Sequence, residues 1–167
     1  MKKIAALFLL SITLFLVGCG QTDDKDYFES AQKSLDAEEY SEALVSFQKI
    51  VDEFPKSEHY KFALLKTGEL NQGYVDKSLS EKESLLKAVK IYTEFQKKYP
   101  KDPKASQALF MIGFIQANEL MDDVAAKAAY SKFLELYPDS EMAESAKAEI
   151  DNLGLTPDEI LQKKITD

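Results

Sequence analysis

Three times along this chain a thirteen-residue run closes on an aromatic residue followed by proline: "ALVSFQKIVDEFP" (43–55), "AVKIYTEFQKKYP" (88–100) and "AKAAYSKFLELYP" (126–138). In each, an alanine (Ala43, Ala88, Ala126) is followed four residues later by an aromatic ring (Phe47, Tyr92, Tyr130). Three residues on comes a bulky apolar side chain (Ile50, Phe95, Phe133), and four after that the aromatic at the stop (Phe54, Tyr99, Tyr137). Offsets of four, three and four place these residues on one stripe of a helix. Proline has no N–H and disfavours helix in the residue before it, so every copy of the helix must end at the same point.

The segments after each proline also match. Tyr60 and Ala63, Ala105 and Ala108, and Ala143 and Ala146 stand five and eight residues beyond it. "ALLKTG" (63–68) and "ALFMIG" (108–113) further share Ala-Leu and a glycine five after the alanine. Glycine inside a helix costs about 1 kcal/mol against alanine, and close approach of a neighbouring helix is its usual compensation, so Gly68 and Gly113 read as contact points. Asp102 before Pro103 suits an N-cap and first helical position, and Ser57 and Ser140 suit N-caps. The repeating unit is therefore a helix pair: small residues on the first helix, aromatic knobs on the second, proline at the stop. It resembles the tetratricopeptide repeat. Tyr27, Ala31, Tyr40, Ala43, Phe47 and Pro55 fall at the spacings of that family's signature.

The fold expected is all-α, a TPR-like helix-pair solenoid of three pairs plus C-terminal capping helices, with repeats over 26–153 and a capping helix over 154–167. The prolines are 45 and then 38 residues apart, against the usual period of about 34. The loop "VDKSLSEKE" (75–83) accounts for the long first interval, and the third unit carries about one extra residue near Asp122 and Asp123. At the end, "LTPDE" offers Thr156 as N-cap, Pro157 at the first position and Glu159 to close a capping box, and Ile160 and Leu161 are expected to lie over the open end of the stack.

Ahead of the repeats, Lys2 and Lys3 precede an apolar run from Ile4 to Val17, broken only by Ser11 and Thr13 and followed by Gly18 and Cys19. A membrane-crossing helix needs about 20 apolar residues, so the run suits a leader better than a span, with an ordinary cleaved signal or a short anchor as the plainer readings. "LVGC" (16–19) resembles the lipobox of bacterial lipoproteins. That resemblance implies a signal peptide over 1–18, lipid (diacylglyceryl and palmitate) attached at Cys19 as the first mature residue, and a tether over 19–25. Two or more acyl chains hold a protein stably at a membrane. Gly20, where enterobacterial inner-membrane lipoproteins carry aspartate, points to the outer membrane. The acidic "QTDDKD" (21–26) leaves surface export open.

Composition narrows the partners. The formal charge is −8, and every one of the 21 basic residues is lysine. An acidic chain without arginine is poorly made for nucleic acid, because phosphate neutralisation and bidentate guanine contacts are both missing. The cluster "KKYPKDPK" (Lys97, Lys98, Lys101, Lys104) suits a solvated turn. With Cys19 the only cysteine and His59 the only histidine, neither a nucleophile–base arrangement nor a zinc site is expected. His59 reads as a solvated turn residue. The adjacent carboxylates Glu38-Glu39 and Asp122-Asp123 read as turn residues rather than an acid/base pair, and no glycine-rich phosphate loop is present. The expectation is a chain that is not an enzyme and uses no cofactor, metal or small-molecule substrate.

Lipobox and long aromatic-proline units together make the chain similar to the BamD-like and YbgF-like families of cell-envelope lipoproteins, which typically carry more units. The repeat family lines a groove with the first helices of successive units. Carried over from Gly68 and Gly113, that resemblance implies groove positions at Phe62, Leu65 and Glu69 and at Gln107, Phe110 and Phe114. "LFMIGFI" (109–115) is apolar all round, which means burial on every side, either by neighbouring helices or by a partner that covers Phe110 and Phe114. The function implied is a lipid-anchored, protein-binding envelope scaffold, BamD-like in outer-membrane protein assembly. Its alternatives are a YbgF-like coordinator of constriction and an accessory subunit of an envelope enzyme or transporter.

Overall fold

A computed structural model describes residues 23–166. The leader, Cys19 and Gly20 lie outside them. Among the described residues the elements are α1 (Asp24–Asp36), α2 (Tyr40–Glu53), α3 (Tyr60–Gln72), α4 (Glu81–Lys98), α5 (Pro103–Phe114), a π-helical turn (Ile115–Glu119), α6 (Asp123–Leu136), α7 (Ala143–Asn152) and α8 (Pro157–Thr166). Each helix from α1 to α7 packs on the next, so the chain climbs as helix pairs. The core runs along this stack as two buried clusters, one around Phe47 and one from Tyr60 to Ala146, with half-buried Val51 packed against both.

The aromatic-proline stops repeat in atomic detail. Phe54, Tyr99 and Tyr137 all leave the helix at φ between −125° and −133°. Their N–H groups donate to Ile50, Phe95 and Phe133 O at 3.0, 2.9 and 2.8 Å. Each aromatic carbonyl then accepts from the residue three on (Ser57, Asp102, Ser140), and that residue's side chain accepts from the N–H two further along. Asp102 is an N-cap with Pro103 behind it, as expected. The two serines make the same bond two residues too early to be caps. Without a proline to start the helix, α3 and α7 begin at Tyr60 and Ala143 behind His59 and Met142.

Gly68 and Gly113 are contact points, and the contacts are the aromatic knobs of the partner helix. A methyl on Gly68 would lie 2.9 Å from Tyr92 Cε1, and one on Gly113 would lie 2.7 Å from both Tyr130 Cδ1 and Cε1. The turns inside the pairs share one conformation. Glu38, Tyr74 and Met121 sit at φ +59°, +56° and +54°, and Gly154 repeats the position at +76°. In the first two pairs a six-to-one bond closes the helix end, Glu39 N–H to Ser34 O and Val75 N–H to Leu70 O. The third pair has absorbed its extra residue upstream, in the π-turn, where Leu120 N–H reaches Ile115 O at 2.9 Å.

At the two ends the chain departs from expectation. Asp23 caps α1 in a reciprocal box with Asp26, so the first repeat opens inside the stretch expected to be tether, and the acidic run is a helix start. α8 forms with the Thr156–Glu159 box, but only Ile160 turns partly inward. Leu161 is 58% exposed and Ile165 75%, because α8 leaves the αL turn at Gly154 with little packing along α7, to which Lys163 Nζ ties it at the Asp151 carbonyl.

Candidate interaction groove

The first helices of successive pairs carry a continuous channel between α3 and α5. One part, about 290 Å³, is lined by Phe62, Leu65, Glu69 and Lys104 and floored by Phe95. Leu65 and Glu69 continue into a second part of about 150 Å³ with Gln107 and Met111, floored by Tyr92. The structure thus brings together Phe62, Leu65, Glu69 and Gln107. Phe110 and Phe114 line neither part. Phe110 packs edge-on against Tyr130 and Phe133 of α6, centroids 5.2 and 5.7 Å away. The 109–115 segment is not wholly enclosed. Leu109, Ile112 and Ile115 are buried, whereas Phe110, Met111 and Phe114 are half-covered.

An aromatic cluster stands behind Phe62 at the α1 side of the channel. Phe28 stacks parallel on His59 at 4.1 Å and meets Phe62 edge-on at 5.5 Å. Neither Phe28 nor His59 lines the channel: Phe28 supports Phe62 from α1 and His59 supports Phe28, a contact not anticipated from the sequence. Phe28 stands three before Ala31 as Phe110 stands three before Gly113, and that register was the available signal. His59 is not a solvated turn residue: it is half-buried under the Phe28 ring, because the turn after Pro55 folds back onto α1, where Ser57 Oγ donates to Asp24 Oδ2 at 2.5 Å.

Both carboxylates in the channel are paired to lysines. Lys61 Nζ lies 2.7 Å from Asp102 Oδ2, tying α3 to the cap of α5, and that bond together with the Lys104 N–H holds the Asp102 carboxyl below its ordinary range. Lys66 pairs with Glu69 at 2.7 Å and lies over Phe62 at 5.7 Å. Lys104 donates to Gln107. Of the basic run on the proline turn, Lys98 sits 3.8 Å above the Tyr60 ring, whose hydroxyl donates to Glu94 Oε1 at 2.6 Å. Burial first, and that bond second, push the Tyr60 phenol well above its usual range. Among the described residues no cluster could hold a metal ion, and no helix is long and apolar enough to cross a membrane. An apolar, aromatic-ended channel with paired charges at its rim is chemically suited to an extended or helical peptide segment.

Stacked helix pairs with glycine-to-aromatic contacts and a channel along the first helices define a tetratricopeptide-like repeat scaffold. The family model described as YfiO, outer membrane lipoprotein, matches residues 20–155, and the chain belongs to that family of the cell envelope. Among curated relatives it is similar to the outer membrane protein assembly factor BamD of Neisseria gonorrhoeae, 26% identical over 186 aligned positions that cover 92% of this chain and 67% of the relative. The BamD proteins of Neisseria meningitidis serogroups A and B match at the same identity and coverage. These relatives are named for outer-membrane assembly, not for constriction.

Proposed function

We propose that this chain is a non-catalytic, lipid-anchored scaffold that holds segments of partner proteins during assembly of outer-membrane proteins. The observation that carries the reading is the channel from Phe62 through Leu65 to Met111, open along one face of the repeats. The names of the BamD relatives supply the process. Cys19, in the lipobox pattern, carries the lipid in this reading and holds the scaffold on the periplasmic side of the outer membrane. Its partners are envelope proteins, including those of a β-barrel assembly complex.

A fully buried aromatic or aliphatic anchor contributes about 1.5–3 kcal/mol, so the exposed Phe62 and half-buried Leu65 suffice for a useful site. The test replaces both by serine. Outer-membrane β-barrel proteins should fall in the envelope while this chain keeps its own level. Unchanged β-barrel levels would remove the groove from the function.

A further inference from the structure

The C-terminal end of the array carries a second concave surface, part polar and part apolar, separate from the channel. Two cavities of about 600 and 500 Å³ meet there at Asp123 and Leu153. Their apolar walls include Met121, Val124, Leu155 and Ile160, and Met121 and Val124 are 78% and 83% exposed. Met121 is a large apolar residue held at φ +54°, where Gly154 shows that the same turn accepts glycine. It stands two residues after the π-turn, a distortion often found at functional sites. A repeat array normally ends in a polar cap. Here α8 instead leaves Leu161 and Ile165 exposed.

Charge indicates what covers this surface. Asp123 and Glu149 line it without a side-chain hydrogen bond or ion pair, exposed Asp122 and Asp151 stand within two residues of them, and Lys163 Nζ donates to the Asp151 carbonyl at 3.3 Å. Lys127 is the one lysine among the lining residues. The channel differs, because its Glu69 and Asp102 are both paired to lysine. Unpaired carboxylates beside exposed aliphatic groups fit a cationic, apolar ligand. A second copy would set one acidic end against another, which like-charge repulsion disfavours. We propose that this end is a docking surface for a basic amphipathic helix of a partner protein, its apolar stripe on Val124, Met121 and Ile160 and its cations on Asp123 and Glu149. This site does not depend on the reading of the channel.

The test uses the full chain in zwitterionic nanodiscs, with empty-disc binding subtracted, and fluorescence anisotropy of two short labelled helical peptides. One is made of leucine and lysine, the other of leucine and glutamate, with the same apolar stripe. The lysine peptide should bind saturably and the glutamate peptide should not. Val124→Ser, or Asp123→Asn with Glu149→Gln, should weaken binding about fivefold or more. Phe62→Ser with Leu65→Ser should leave it unchanged. Equal weakening by Asp36→Asn with Glu42→Gln, at the far end of the array, would reduce the effect to overall charge and overturn the proposal. So would indifference to Val124→Ser, or self-association of the full chain abolished by that change.

Discussion

Gly113→Ala is the substitution on which local propensity and packing disagree in sign. Alanine is the better helix former by about 1 kcal/mol, so a reading from the helix alone predicts stabilisation. The added methyl, however, would stand 2.7, 2.7 and 2.8 Å from three ring atoms of Tyr130, where carbon atoms rest at about 3.5–4.0 Å. The ring has nowhere to go, since Tyr130 is completely buried and Phe110 packs edge-on against it. Overpacking of this kind costs about 1–3 kcal/mol, which leaves a net loss of up to about 2 kcal/mol after the propensity gain. Gly73→Ala is the matched control, since its methyl would meet nothing nearer than 3.6 Å at φ −77°. It should be neutral or stabilising by up to about 1 kcal/mol. Urea denaturation of the chain in mild detergent measures both, the loss appearing as a midpoint lower by up to roughly 1 M. A Gly113→Ala chain as stable as Gly73→Ala would refute the claim that the glycine exists to seat Tyr130.

The same assay separates the two buried tyrosines. Tyr92→Phe should cost about 1 kcal/mol for the lost bond to Gln72 Oε1 at 2.9 Å, while Tyr130→Phe, whose hydroxyl is buried without a partner, should be neutral or slightly stabilising. Glu38→Gly should stabilise by about 0.5–1 kcal/mol, because Glu38 is exposed and held at φ +59°, which glycine adopts freely; no gain would contradict the strained turn. Asp102 has a folded pKa below its ordinary 3.8. Its stabilisation is therefore present above that value and lost as pH falls through the lower folded value, so Asp102→Asn should differ from the parent at neutral pH and converge with it in acid. Cys19→Ala should leave the helical content unchanged and release the chain from membrane fractions; a variant still sedimenting with membranes would remove the lipid reading.

Local chemistry made much of this architecture readable. Periodicity and proline marked the ends of α2, α4 and α6, and the glycines marked where aromatic knobs land, because each of those features acts within a few residues. The positions that escaped depend on contacts between units. The Phe28–His59 stack needs the first and second pairs docked before the two rings meet, and nothing in the neighbourhood of His59 announces it. Phe110 was assigned to the groove by register alone. Its register is sound, but an aromatic ring at that position reaches the second helix of its own pair, where Tyr130 and Phe133 already stand. The single extra residue of the third pair was visible as a count. A count cannot say whether the chain spends it in a loop or, as here, in a π-turn. Leu161 looked like a lid because it is apolar, and its exposure follows from the direction the Gly154 turn gives α8.

The account's central claim is that partner segments lie in the channel between α3 and α5. A photo-crosslinking residue placed at Leu65 or Met111 in the channel, and separately at Val45 on the opposite helix layer, tests this in intact envelopes with the attached proteins identified by mass spectrometry. The account predicts adducts with outer-membrane β-barrel proteins or their assembly partners from Leu65 and Met111 and none from Val45. Adducts from Val45 alone, with the channel positions silent, would contradict it.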